Sequence, residues 1–259
     1  MNLESKVEAR TAQLVAKSKE LESFCYSVSH DLRAPLRGID GYSRLLLESY
    51  HDSLDEEGRS FLKNVRAATT HMSRLIEDLL AYSRLERRKL SAVPVELSTF
   101  IATLLSQIPD RTKKIHLIVQ VGSHQVMGDP EGLAIVLRNL IDNAIKFSQH
   151  APAQTIEIVA EAEEGHCLIS VRDNGIGFDM RFSDKIFEIF QRLNRVEDYP
   201  GTGIGLAMAH KATERMGGHI WAKSAPGEGA IFYLRLPLAD KDRRKDASDL
   251  AVQRLDFNL

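Results

Sequence analysis

The stretch FCYSVSHDLRAPLRGIDGYSRLLLE, Phe24 to Glu48, decides how the rest of the chain is read. Wound at about 100° per residue, it gathers Val28, Leu32, Leu36, Ile39 and Leu46 within an arc of roughly 80°. His30 falls about 170° from the centre of that arc and shares its side with Arg33, Arg37 and Arg44. The pattern predicts an amphipathic helix presenting an imidazole to solvent among guanidinium groups. Taken alone, this also describes an ordinary surface histidine. The neighbours narrow the reading. Asp31 follows directly and is able to accept the second ring proton or orient the ring. Pro35 removes an amide donor one turn on, which is expected to bend the helix near the histidine.

The run S-H-D-L-R-A-P-L, Ser29 to Leu36, resembles the phospho-acceptor box of sensor histidine kinases. A His-Asp pair, an Arg three residues after the His and a Pro two further on rarely coincide on an apolar-striped helix.

Outward from this helix, the amino-terminal 1–23 is charged, with apolar residues at Leu3, Val7, Leu14 and Leu21, about one per heptad. It reads as a weak coiled-coil signalling helix entering the histidine helix, and a plain solvated helix fits the periodicity as well. A start in mid-coil suggests an upstream sensor module missing from this chain. After the polar turn SYHDSLDEEG, the series Phe61, Val65, Ala68, Met72, Leu75, Leu79, Tyr82 alternates steps of four and three, the signature of a seam. Two helices joined by a short turn form an antiparallel hairpin over 24–90. So little core implies a homodimer in which two hairpins make a four-helix bundle.

Arg84 to Ser91 is basic and aperiodic and Pro94 follows, which predicts a linker. Residues 95–238 then mix helix and strand signals. Helices are expected near 96–107, from Asp129 or Pro130, and near 202–216; strands are expected near 115–121, 125–127, 156–160, 167–172, 219–223 and 230–236. The fold class expected is α+β: a helical hairpin followed by an α/β sandwich with a helix layer on a mixed sheet. The charged tail 239–259 is expected to have little fixed structure.

Within the second domain, Asn139, Asn143 and Lys146 lie within about 60° of one another on a helix whose other side is apolar. An amide oxygen is a hard ligand suited to magnesium and a lysine meets phosphate oxygens. By itself N-x-x-x-N-x-x-K equally describes a solvated face. DNGIGFD, Asp173 to Asp179, ends an apolar strand: Gly175 and Gly177 permit close backbone approach to a flat ligand, and Asp173 is placed to accept from an exocyclic amine. PGTGIGLAMA brings Gly201, Thr202, Gly203 and Gly205 to a helix start, where bare N–H groups suit phosphate. It is neither a Walker loop nor the dinucleotide turn.

The order of Asn helix, D-x-G-x-G turn, the Phe segment KIFEIFQRL (Lys185 to Leu193) and G-x-G-x-G helix start resembles the N, G1, F and G2 boxes of the GHKL (Bergerat) ATP-binding fold. With the H-D-L-R-A-P hairpin ahead of it, the chain from Phe24 to Leu236 resembles the transmitter of a sensor histidine kinase of phytochrome-like or PAS-linked type. The resemblance implies ATP and Mg2+ as cofactors, His30 as phospho-acceptor and Asp31 as its acidic partner. It implies Asn143 as metal ligand, Asn139 and Lys146 beside the phosphates and Asp173 reading adenine. Residues 178–202 would form a lid anchored by Phe187 and Phe190, with Gly201, Gly203 and Gly205 flanking the triphosphate. It implies a response regulator receiver domain as partner. Ala34 stands where many members carry Thr or Asn, so phosphatase activity is not expected. Two other readings keep the nucleotide site: an ATPase or protein serine kinase with the hairpin serving dimerisation alone, and a non-catalytic nucleotide-binding scaffold.

Composition limits the remaining classes. A formal charge of -2 gives no bulk attraction for nucleic acid or anionic lipid. Cys25 and Cys167 stand far apart without metal-ligand spacing, which fits a reducing, cytoplasmic setting. No apolar run approaches the length of a membrane span, so no direct membrane insertion is expected.

Overall fold

The computed structural model describes residues 27–29, 31–86, 88–108, 115–194, 198–239 and the backbone of 255–258. The expected coiled coil at 1–23 and His30 itself lie outside these residues. The chain divides into two units, Met1–Arg87 and Arg88–Leu259.

The first unit is a helical hairpin. Its first helix, α1, covers 27–29 and 31–49. After a short 3-10 turn at His51–Ser53, α2 runs Glu56–Leu85, capped by Asp55, whose side chain accepts from Gly58 N–H at 2.7 Å. Every seventh residue of α1, Ser29, Leu36 and Ser43, is buried, as are Thr69, Ile76 and Leu80 of α2. Leu36, Ile76 and Leu80 form the hairpin's own core. The small serines allow close approach, and Thr69 turns its hydroxyl back onto the Val65 and Arg66 carbonyls, so the seam holds no unpaired hydroxyl there. An Arg66 to Asp40 ion pair at 2.8 Å joins the helices nearer the turn.

The apolar arc read on α1 is therefore split. Leu36 is covered, whereas Val28, Leu32, Ile39 and Leu46 are each 38% to 45% exposed. On α2, Phe61, Val65 and Met72 of the four-three series are exposed, and the buried stripe runs one residue further on. Each helix carries one stripe for its partner in the hairpin and a second that the hairpin leaves open.

The second unit is an α/β sandwich. A six-stranded sheet has the order β6-β7-β5-β4-β2-β8, where β2 is His116–Gln120, β4 Thr155–Glu163, β5 His166–Asp173, β6 His219–Ser224, β7 Ala230–Pro237 and β8 Leu255–Asn258. β2 and β4 pair parallel; the other neighbours are antiparallel. Strict alternation in β4, β5 and β7 sends Ile156, Ile158, Ile169, Val171, Phe232 and Leu234 to the covered face. Against it lie α4 (Pro130–Phe147) and α5 (Gly205–Arg215), α4 on β5 and on α5, and α5 on β6. Asp129 caps α4 with Pro130 in its first turn, as the sequence predicts. α3, Leu97–Leu105, is tied towards α4 by Arg138, which donates to Gln107 Oε1 at 2.5 Å.

Two segments differ from the sequence reading. Val93–Glu96, placed by sequence at the end of the linker and the start of a helix, forms β1, antiparallel to β3 (Gln125–Gly128). Pro94 sits in a two-stranded ribbon, where an absent N–H is tolerated. Within the charged tail, Leu255–Asn258 forms an edge strand on β2. The alternation L-D-F-N has a strand's period, but it is brief and follows a charge-rich stretch that obscures it.

Candidate functional site

The sequence motifs of the second unit meet at the carboxyl half of α4. Lys146 and Phe147 end the helix, and the turn after β5 is attached there by Ile176 N–H, which donates to the Phe147 carbonyl at 3.3 Å. Gly177 turns that loop with φ of 60°, and a side chain on it would begin 2.0 Å from the Ala225 carbonyl oxygen. No other residue fits. The loop is closed from the β6–β7 side as well: Phe178 N–H donates to Ser224 Oγ at 2.8 Å, Ser224 Oγ to the Gly229 carbonyl at 2.7 Å, and Gly227 N–H to the Ile176 carbonyl at 2.7 Å.

Asp173 stands at the end of β5, 4% exposed. Burial pushes its carboxyl up to about 6, partly opposed by backbone N–H bonds from Gly175 and Ala230. The Gly175 bond is 2.8 Å long. The adjacent Asn174 serves the fold, bonding Thr155 N–H at 2.9 Å and the Ala153 carbonyl at 2.6 Å.

The glycine-rich helix start packs on α4 as well. Asn139 donates to the Ile135 carbonyl at 2.7 Å, and its amide oxygen lies 2.3 Å from where a Gly205 side chain would begin. The first turn of α5 thus seats directly on Asn139. Lys146 Nζ similarly lies 3.2 Å from the corresponding point on Gly201 and 4.1 Å from the Phe147 ring centroid. Burial, then repulsion from Arg192, brings the lysine down to about 8, with Asp142 acting the other way. Between Asn139 and Lys146, the side-chain amide of half-buried Asn143 has no hydrogen-bond partner among the described residues. Thr202, half-buried, holds its hydroxyl 3.5 Å from Ile204 N–H.

The segment between the two glycine motifs contains features the sequence reading missed. Arg192 donates to the Gly201 carbonyl and, at 2.8 Å, to the Tyr199 carbonyl, so it ties down the loop entering α5. Tyr199 is buried, its ring 5.2 Å from that of Phe147 and 5.9 Å from that of His150. An aromatic directly before Pro-Gly was the available signal. Phe187 packs on His210 of α5 at 5.4 Å, and Ile186 beside it is buried. Phe190 departs from expectation: the residue is 57% exposed. Its contribution is backbone. With φ of 66° it donates N–H to the Gly203 carbonyl at 3.0 Å, which joins the Phe segment to the glycine turn.

On the hairpin, Asp31 and Ala34 are exposed, and Arg37 and Arg44 of the basic face are exposed too. Among the described residues no helix is long and apolar enough to cross a membrane, and no group of three or more His, Cys, Asp or Glu forms a metal cluster.

An asparagine-bearing helix, a glycine turn and a glycine-rich helix start gathered on a mixed sheet, preceded by a hairpin bearing the histidine box, define a two-part transmitter. Residues 20–88 match the family described as "His Kinase A (phospho-acceptor) domain", and residues 128–240 match "Histidine kinase-, DNA gyrase B-, and HSP90-like ATPase". The chain belongs to the histidine kinases. It is 38% identical over 240 residues to cyanobacterial phytochrome A of Nostoc sp., covering 90% of this chain and 30% of that protein. It is 33% identical over 230 residues to the aerobic respiration control sensor protein ArcB of Escherichia coli, covering 85% and 29%. The chain thus spans about 30% of the length of such relatives. Among solved structures it resembles full-length ShkA in complex with AMPPNP (29% identity, TM-score 0.63, 84% of this chain and 46% of that one). It also resembles the histidine kinase AdeS of Acinetobacter baumannii (25% identity, TM-score 0.57, 82% and 98%).

Proposed function

We propose that the chain is an ATP-dependent protein histidine kinase, which phosphorylates His30 and passes the phosphoryl group to an aspartate of a response regulator. The observation that carries this reading is the convergence on α4: Lys146 against Gly201, Asn139 against Gly205 and the Phe147 carbonyl against Ile176. Three segments far apart in sequence form one cradle, on a chain whose other unit holds S-H-D-L-R-A-P-L. A hairpin serving dimerisation alone has no need of that box.

Each group then has a task. Asp173 accepts from the adenine amine, its carboxylate held by two backbone N–H groups. Asn139 keeps the first turn of α5 in place beside the phosphates. Lys146, still largely protonated at pH 7, meets phosphate oxygens, and Arg192 holds the Gly201 loop against it. Asn143, with its side-chain amide uncommitted, would hold Mg2+, and that ion would supply charge compensation at the phosphates. Gly175, Gly177 and Gly203 let the loops around the nucleotide pack closely on Phe147, Ala225 and Gln191, and Thr202 lies at the helix start beside the phosphates. One nitrogen of His30 attacks the γ-phosphorus in line, forming the N–P bond as the P–O bond to ADP breaks. Asp31 accepts the hydrogen bond of the opposite ring N–H and takes up the proton that the imidazole loses as it is phosphorylated. Such a transfer asks mainly for positioning and electrostatic compensation.

The open stripes of the hairpin, with Leu32, Ile39, Phe61 and Met72 exposed, support a homodimer closed as a four-helix bundle. The basic side of α1 suits an acidic receiver surface.

Incubation with γ-labelled ATP tests the reading. Label on the protein that survives alkali, is lost in acid, and is absent from His30→Ala and Asn143→Ala is expected. Label on a hydroxyl residue, or release of free phosphate alone, contradicts it.

A further inference from the structure

The chain leaving the hairpin is not loose once it reaches the second unit. The Arg88 guanidinium lies between the carboxylates of Asp129 and Glu131. Asp129 is enclosed, with 5% side-chain exposure, and Glu131 is exposed. The same Asp129 carboxylate accepts Gly132 N–H at 2.6 Å as the cap of α4 and Ser91 N–H at 3.2 Å from the linker. From the last turn of α5, Arg215 donates to the Arg88 carbonyl at 2.7 Å. Pairing of β1 with β3 then begins at Val93. Fastening is therefore continuous from Arg88 to Glu96, and it engages the amino end of α4 and the carboxyl end of α5. These are the helices that bear Asn143 and Lys146 and that begin at the Gly201–Gly205 turn.

We propose that Arg88 is a positioning residue for phosphoryl transfer: it latches the linker to Asp129, so that residues 88–92 travel with the catalytic domain and do not add to the free span between histidine and nucleotide. The inference rests on the kinase reading above.

The energetics favour a positional role over a stabilising one. Arg88 Nε is enclosed with no acceptor among the described residues. A partly desolvated ion pair that leaves a donor unsatisfied adds little net stability. Position is different. A nucleophile on one domain and its target on another react at a rate set by effective concentration, which falls roughly as the −3/2 power of the free span. Loosening 88–92 lengthens that span; because Ser91 N–H and Arg215 still hold part of the stretch, loss of the Arg88 fork lowers it about 2- to 5-fold.

The test uses the full chain with Arg88→Ala, Asp129→Asn and the double variant. Asparagine caps a helix as well as aspartate does, so Asp129→Asn keeps the Gly132 bond and removes the charge facing Arg88. Autophosphorylation rate at saturating Mg-ATP and affinity for a fluorescent ATP analogue are measured side by side. Each single variant is expected to lower the saturated rate about 2- to 5-fold, with the double variant no lower. Analogue affinity is expected to stay within about two-fold. Arg88→Lys, which offers a point charge in place of a fork, is expected to recover part of the rate. A rate that is unchanged or raised overturns the latch. So does a rate loss matched by weaker analogue binding, which marks the pair as merely structural. If the unaltered chain binds the analogue yet forms no phosphohistidine, the kinase reading fails, and the positioning role falls with it.

Discussion

The two units bury their apolar residues on different terms. In the second, α4 and the sheet enclose Leu133, Leu137, Leu140, Ile158, Ile169 and Leu234 almost completely. In the first, the apolar cluster among the described residues is Leu36, Ile76 and Leu80, while Leu32, Ile39, Tyr42, Leu45, Phe61 and Met72 remain exposed. The catalytic unit completes its core from its own sequence; the hairpin has the surface of half a bundle. On the proposed dimer, the difference teaches that stability of the hairpin depends on concentration and that of the nucleotide domain does not.

The largest effect that would break this contrast lies on the open stripe. Met72→Asp places a charge twice in the proposed dimer seam and removes two buried side chains, each contributing about 1.5–3 kcal/mol. Dimer dissociation by analytical ultracentrifugation is expected to rise about 10²- to 10⁴-fold. Nucleotide affinity is expected to hold. Loss of that affinity would show that the domain depends on the hairpin.

Leu140→Ala probes the opposite side. It empties a fully buried site on α4 and is expected to destabilise the second unit by about 2–5 kcal/mol, with the hairpin's transition unmoved in a denaturant titration followed by circular dichroism. Coincident shifts of both transitions would deny that the units fold separately.

Most of this architecture was readable because period and spacing survive in sequence. The apolar side of α4, the Asp129-Pro130 start and the alternation of β4, β5 and β7 each follow from local pattern, and the structure matches them. The glycine turns packed on α4 were legible, since close backbone approaches admit nothing larger. What remained hidden depends on groups far apart in the chain. The role of Arg192 lies in which carbonyls it reaches, Tyr199 is defined by Phe147 and His150, and Phe190 contributes through a left-handed backbone and not its ring. The fastening of residues 88–96 was obscured because a basic, aperiodic run looks the same whether solvated or docked on Asp129. On the hairpin, the series Phe61 to Tyr82 was visible, but which stripe faces inward was not, because both repeat at nearly the same period.

The smallest effects are electrostatic. The Asp173 carboxyl, raised to about 6, ionises above that pH and is protonated below it. Because its folded pKa lies above the ordinary value, ionisation is disfavoured by folding, so stability from this group falls as pH rises through about 6. Nucleotide binding runs the other way, since the ionised form is the stronger acceptor. Lys146, lowered to about 8, loses its charge above that pH. Mg-nucleotide affinity measured by calorimetry is therefore expected to plateau between about 6 and about 8 and to weaken about 3- to 10-fold on either side. Asp173→Asn is expected to flatten the acid limb. An acid limb that persists in this variant would assign it elsewhere.

The central claim is that the cradle on α4 serves one imidazole on the other unit. Mapping the phosphoryl group by peptide mass spectrometry at neutral to alkaline pH, after reaction of the unaltered chain with Mg-ATP, tests it most directly. The account predicts a single modified site, His30; a phosphoryl group on any other residue, or an unmodified chain with ATP consumed, contradicts it.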